Sequence, residues 1–472
     1  MKNNSQRIFG ILLTAVLAAW TLGGCGSGKN EIKVEPMEAE EIHTLTFAAL
    51  GGEDVMPIAT YYGPMPSDYS YNGEAQPDFI TEEYFEAIEA TGINLINHTY
   101  TDYQTAPQLV RKMLELGEKY HIGICVTDGV ISAPKGEDTL SLAQMSQRIN
   151  EYGNYPAFCG MYMADEPQWA EFNLGDGTRT IDLYAPGFQN LAKLGIYGYA
   201  NALPDYGFNG KSENYEAYLN YMVEKCELPY LQYDHYVFDK GATKEQYFYN
   251  MALVRKVAKE HDIPFWTFIQ AGAQWNDANG RFDSETPYYP NELQFQWNVN
   301  TCLAYGAQGI EYFLLFQPYH FAFAETEPFD FERNGIFGAW GNKNQWYYYA
   351  QNVNRQIAAV DEVLMHSVNK GVLVTSEQAR KDNELSDCIL EGETWRELTG
   401  VDGDTMIGCF NYEGKTALYV VNYDTEYAQK ITLHFDNTHN VSVVQNAEKT
   451  YYSAKNLMLD MQAGEGVLVV FD

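Results

Sequence analysis

The chain has 472 residues, enough for two or three domains at roughly 100–200 residues each, with a single barrel of about 250 residues also common. Its 46% apolar content supports a large core, and 15% aromatic residues, among them 37 Tyr and 8 Trp, exclude a disordered chain. Thirty Lys+Arg against 64 Asp+Glu give a formal charge of −34, which excludes a nucleic-acid partner and disfavours docking on anionic lipid.

The first element in chain order reads as an export signal. Lys2 and Arg7 make a positive start, residues 8–22 are apolar, and Leu22-Gly23-Gly24-Cys25 follows at once. The apolar run is short for a membrane span and ends in small residues, as a cleavable signal does. Leu-Gly-Gly-Cys resembles a bacterial lipobox, which implies that residues 1–24 are removed and that Cys25 carries the lipid anchor. The expected placement is on the cell envelope, with residues 25–46 a flexible tether. The remaining cysteines, Cys125, Cys159, Cys226, Cys302, Cys388 and Cys409, have no metal-site spacing and read as small apolar residues rather than disulfide partners.

From residue 56 to 318 one rhythm repeats, a short apolar β-rich run and then a helical stretch. The expected strands are 58–63, 93–100, 122–128, 158–166, 196–200, 230–237, 264–270 and 310–317. Helical spacing of apolar residues marks 81–91, 107–120, 140–152, 214–225, 244–261, 292–305 and 344–365. Alternation of this kind implies a parallel sheet with right-handed crossovers, and eight units close a (β/α)8 TIM barrel over residues 47–367. An open doubly wound sheet competes, but no GxGxxG loop follows the first strand. After residue 370 the rhythm changes to short β-branched runs at 371–375, 405–410, 416–422, 430–435, 441–445 and 466–471. The expectation is a small antiparallel β-sandwich over residues 368–472, completing an α/β fold.

In such a barrel the chemistry lies at the carboxyl ends of the strands. The fourth strand, Phe158 to Ala164, ends abruptly in Asp165-Glu166-Pro167. A carboxyl at the rim of an apolar tunnel has its pKa raised and can serve as a general acid. A helix-capping Asp165 beside a solvated Glu166 is the purely structural alternative. The sixth strand ends in Tyr233-Asp234-His235-Tyr236, with Asp234 and Tyr236 on one face.

The segment Asp165-Glu166-Pro167 resembles the Asn-Glu-Pro-like strand-four ending of the large barrel clan of retaining glycoside hydrolases, which includes cellulase-like enzymes and the β-galactosidases of families 35 and 42. The resemblance implies that Glu166 is the acid/base, with Asp165 where the clan has the Asn that contacts the sugar 2-hydroxyl. Tyr236 matches the clan's His-x-Tyr pair on strand six, and Asp234 departs from it. On strand seven Gln270 stands where the clan has its nucleophilic Glu, and an amide cannot form the covalent intermediate. The second carboxylate is then Asp234 or Asp128, or a loop acid such as Glu285, Glu325 or Glu327, or the site binds sugar without cleaving it. Strands four and six are roughly 10 Å apart at about 4.8 Å per neighbour. Both the retaining (about 5–5.5 Å) and inverting (about 6.5–9.5 Å) carboxyl separations therefore stay open for Glu166 and Asp234.

Tyr61, Tyr62, Tyr100, Trp169, Trp266, Trp275 and Phe316 lie near expected strand ends and could stack on sugar faces. Asp165, Tyr236, His235, Gln270, Asp128, Trp266, Tyr62 and Trp275 form the expected substrate-binding set. His98 also lies near a strand end. No acid or His spacing calls for a metal, and no cofactor is expected. Long polar or aromatic loops at 274–290 and 318–340 could wall a cleft. The expected function is hydrolysis of O-glycosidic bonds in oligo- or polysaccharide, and the resemblance implies a β-galactosidase-like activity. The rival is a non-catalytic glycan-binding lipoprotein on a degenerate barrel, which Gln270 favours.

Overall fold

The computed structural model describes residues 36–67, 70–71, 74–168, 180–208, 212–238, 242–272, 289–318 and 334–472. Cys25, Trp169, Trp275, Glu285, Glu325 and Glu327 lie outside the described residues.

All eight expected strands form. They are β1 (Ile58–Thr60), β2 (Leu95–Ile96), β3 (Gly123–Val126), β4 (Phe158–Asp165), β5 (Tyr197–Asn201), β6 (Leu231–Tyr233), β7 (Phe265–Gln270) and β8 (Ile310–Phe313). Every pairing is parallel, in the order β5-β4-β3-β2-β1-β8-β7-β6, and a parallel bridge from Ala202 to Tyr233 closes the ring. Helices α1 (Glu82–Glu89), α2 (Pro107–Lys119), α3 (Leu142–Ile149), α4 (Thr180–Lys193), α5 (Ser212–Cys226), α6 (Lys244–Glu260), α7 (Glu292–Ala304) and α8 (Gln345–Ile357) follow the strands in turn. Their starts are written locally. Pro107 opens α2, and Ser141 with Gln144 and Asn291 with Gln294 form capping boxes. Helix α4, which carries Pro186 internally, was not among the expected helices. The stretch 344–365 breaks into α8 and a short helix, Asp361–Met365.

Alternate strand residues point inward and fill the barrel. At its amino end Tyr197, Tyr230 and Trp266 pack together, and Phe47, from the segment before β1, closes the opening with its ring 5.0 Å from that of Tyr197. A Cβ at Gly309 would stand 2.5 Å from the Trp266 ring, so the absence of a side chain there makes room for the indole. Residues 36–46, expected as tether, are instead pinned to the body. Asn411 Nδ2 donates to the Glu38 carbonyl at 2.8 Å, Lys370 pairs with Glu40 at 3.0 Å, and His43 with Asp262 at 2.6 Å. All six described cysteines are free and, Cys159 apart, buried.

The C-terminal strands are β9 (Ser367–Val374), β10 (Leu398–Asp402), β11 (Thr405–Tyr412), β12 (Lys415–Asn422), β13 (Gln429–Gln445), β14 (Glu448–Met461) and β15 (Gly466–Phe471). They run in the order β9-β11-β12-β15-β13-β10, with β14 beside β13. The expected strands 430–435 and 441–445 are one strand. Its first half pairs with β10 and its second half with β15, and a register shift between His434 and His439 bends it across both layers. One face encloses a core of Ile407, Leu418, Val441 and Val469. The other packs on α7, so residues 295–304 of that helix are buried all round. Tyr419 donates to Asn300 Oδ1 at 2.8 Å and Asn300 to the Gly464 carbonyl at 2.8 Å. The structure is a TIM barrel followed by a β-sandwich.

Candidate active site at the carboxyl end of the barrel

Strand β4 delivers its two acids by a change of backbone. Asp165 ends the strand, and Glu166 takes a left-handed conformation at φ 44°, held by its N–H donating to the Asn201 carbonyl at 2.9 Å. Tyr62 and Tyr100, just beyond β1 and β2, are left-handed too, each at φ 55°. Such non-glycine residues cost about 1–3 kcal/mol apiece and persist where their surroundings over-determine them. All three stand on the same end of the barrel.

Asn201, the last residue of β5, ties the acids together. Its Nδ2 donates to Asp165 Oδ1 at 3.1 Å and to Asp234 Oδ1 at 2.9 Å. Tyr61 Oη donates to Asp165 Oδ2 at 2.9 Å and lies 2.9 Å from Tyr162 Oη. Glu166 and Asp234 lie close enough for their carboxyls to act on each other, and two buried carboxyls so placed are held most readily with a proton between them. Burial, followed by the charge of Asp165, raises the Glu166 carboxyl to about 7. Burial and the neighbouring Glu166 and Asp165 charges push Asp234 well up. Asp165 is solvent-exposed at the rim yet walled by protein. That burial raises it, and the bonds from Asn201 and Tyr61 oppose the rise. Among the described residues no Lys or Arg pairs with any of the three.

An aromatic collar surrounds the cluster. The Tyr61 ring stacks on His98 at 4.8 Å, Tyr62 meets His98 at 5.3 Å and Tyr100 at 5.9 Å, and Tyr236 meets Phe313 at 5.6 Å. Burial lowers the His98 imidazole to about 3 and keeps it neutral. One layer below, Glu311 of β8 is fully buried and accepts from Asn97 Nδ2 at 3.1 Å and from Gln232 Nε2. Burial raises its carboxyl to about 8.

Of the residues singled out from the sequence, Asp165, Glu166, Asp234, Tyr61, Tyr62, His98, Tyr100 and Tyr236 converge here. Four others do not. Asp128 is fully buried, receives Arg148 Nε at 2.7 Å and Tyr152 Oη at 3.1 Å, and caps the turn at Val130, so its oxygens are spent on structure. His235 is buried beside Asp205, 3.3 Å from Asn250 Oδ1. Trp266 belongs to the amino-end packing, and Phe316 stacks on Phe79 and Phe337. Gln270 ends β7 as expected, with Oε1 accepting from the Phe238 N–H at 3.3 Å and Nε2 donating to the Gly272 carbonyl at 3.1 Å. Its amide therefore holds loop backbone. Sequence reasoning missed Asn201, Tyr162 and Glu311. The signal for Asn201 was a polar residue closing an apolar strand, and for Glu311 a lone acid at an inward position of one. Among the described residues no three His, Cys, Asp or Glu side chains are arranged to hold a metal ion.

No family model and no characterised sequence matches the chain. Solved structures do. A β-galactosidase from Bacillus circulans sp. alkalophilus superposes with a TM-score of 0.53 at 7% identity, over 88% of this chain and 99% of that one. A family 42 β-galactosidase from G. stearothermophilus gives 0.49 at 8% identity over 91% and 100%, and a glucosidase from Croceicoccus marinus 0.41 at 10% over 88% and 99%. At 7% identity the likeness to the Bacillus circulans sp. alkalophilus structure establishes for this chain the fold alone, a barrel followed by a β-sandwich.

Proposed function

We propose that the chain is a hydrolase of O-glycosidic bonds in oligo- or polysaccharide. Glu166 is the proton donor, and Asp234 is the second carboxyl of the acid/base pair. The observation that supports this most is the convergence of Asp165, Glu166 and Asp234 around Asn201 at the open end of the barrel. A carboxyl raised to about 7 keeps its proton near neutrality and can hand it to a leaving alkoxide as the glycosidic bond breaks. Asp234, buried behind it, holds and returns that proton. Tyrosine rings around the acids offer faces for sugar C–H groups. A galactoside is the first substrate to try, by analogy with the neighbours' names alone.

A second reading is favoured by the contact itself. Glu166 and Asp234 are neighbours that act on each other, and strand seven offers Gln270 in place of an acid. A glycan-binding protein would keep such a pair closed. An aryl-glycoside panel separates the two: the hydrolase releases phenol, and its first product shows one anomer by proton NMR. The binding protein releases none, yet sugar raises its melting temperature. Export and lipidation at Cys25 belong to the same proposal. An alkyne fatty acid fed to expressing cells should label the parent and not Cys25→Ser.

A further inference from the structure

The three carboxyls are not held alike. Both Asp165 oxygens already accept a hydrogen bond, one from Tyr61 Oη and one from Asn201 Nδ2. Donors on a carboxylate favour its charged form. Glu166 and Asp234, by contrast, lean on each other across a proton. Asp165 is exposed as a residue at the rim, whereas Asp234 is 7% exposed. Asn201 Nδ2 bonds Asp165 at 3.1 Å and Asp234 at 2.9 Å, so their two oxygens stand no farther apart than those lengths laid end to end. Asp165 thus stands beside the Glu166–Asp234 pair rather than within it.

We infer that Asp165 is the catalytic nucleophile, oriented by Tyr61 and Asn201, while the proton carried between Glu166 and Asp234 serves the leaving group. The inference rests on the glycosidase reading above and gives the site the carboxylate that strand seven lacks. In the first step an Asp165 oxygen lone pair forms a bond to the anomeric carbon, the bond to the glycosidic oxygen breaks, and the Glu166 proton passes to that oxygen. In the second, Glu166 takes a proton from water, the water oxygen bonds to the anomeric carbon, and the bond to Asp165 breaks. The sugar leaves with its original configuration, and both acids return to their starting states.

The test starts with the unmodified protein. It is incubated with the 2,4-dinitrophenyl 2-deoxy-2-fluoro glycoside of the sugar it hydrolyses in the aryl panel, the galactoside first. Mass spectrometry of the peptides should place the fluoro-sugar on Asp165. Asp165→Gly should lose at least a thousandfold in turnover of an aryl glycoside. Sodium azide should restore turnover to it and not to Asp234→Gly, giving a glycosyl azide of opposite configuration. A label on Asp234 or any other residue, an inverted first product, or azide rescue of Asp234→Gly alone would each overturn the inference while leaving a hydrolase. Failure of the unmodified protein to hydrolyse any glycoside would overturn both this inference and the function it builds on.

Discussion

The two ends of the barrel interior are filled by the same strands. On β5, Tyr197 points into the amino end and Asn201 into the carboxyl end, and on β7 Trp266 and Gln270 do the same. The amino end is closed by aromatic packing under Phe47, and a single glycine at 309 gives way to the indole. The carboxyl end holds three carboxyls, with a tyrosine and an asparagine donating to Asp165. Four residues of strand thus separate a region built for stability from one that is costly to hold in place. Packed rings need chiefly shape and volume, and even there Trp266 Nε1 is buried without a hydrogen-bond partner among the described residues, whereas acids brought together need donors and shared protons.

That contrast can be broken from either side. Glu166→Gln should have the largest effect. It should cost about 10²–10⁴ in turnover of unactivated glycosides, the usual weight of a general acid, while sugar binding persists. Turnover equal to the parent's would remove Glu166 from the chemistry. Phe47→Ala attacks the opposite end and should lower unfolding stability by about 3–5 kcal/mol, as large-to-small core changes do, with kcat unchanged. A matching fall in kcat would mean that the two ends are mechanically coupled.

Tyr61→Phe removes one donor from Asp165. A hydrogen bond to a charged group is worth about 1.5–3 kcal/mol, so kcat should fall by roughly ten- to a hundredfold, with little change in melting temperature. The smallest effect belongs to Glu311. Its folded carboxyl titrates near 8, above the unfolded value of 4.5, so folding takes up a proton. The stability that this lends is fully present below about pH 4.5 and is lost as pH rises through about 8. Glu311→Gln stays neutral. Its melting temperature should overtake the parent's progressively across that window. A parallel pair of pH curves would show that Glu311 is not the buried acid responsible.

The barrel was legible because its signals are local. Eight β-rich runs separated by amphipathic stretches announce a closed parallel sheet, and the abrupt Asp165-Glu166-Pro167 ending announces an acid at a rim. Strand β14 escaped notice because Glu448 to Ser453 are exposed on both faces, which leaves no alternation to read. The joining of 430–435 to 441–445 was equally hidden, since residues such as Asp436 and Asn437 at the bend read as a turn. In the site, what sequence conveyed was which strand ends carry acids. It did not convey parity around the ring. That parity directs Asp234 and Asn201 to Glu166 and Asp165, and it commits Asp128 to Arg148 and Trp266 to the amino end. Proximity of this sort depends on closure of the sheet, a property no single segment contains.

The burial of α7 on every side has a practical corollary. A Cβ at Gly408 would meet the Ala304 carbonyl at 2.3 Å, so backbone lies directly against backbone where β11 crosses the end of that helix. A truncation at residue 367 would strip one wall from Phe295 to Ala304 and leave Asn300 without Tyr419 and the Gly464 carbonyl. A barrel cut there should unfold at a lower temperature than the full chain, because a helix buried on every side would be left with an apolar face in water.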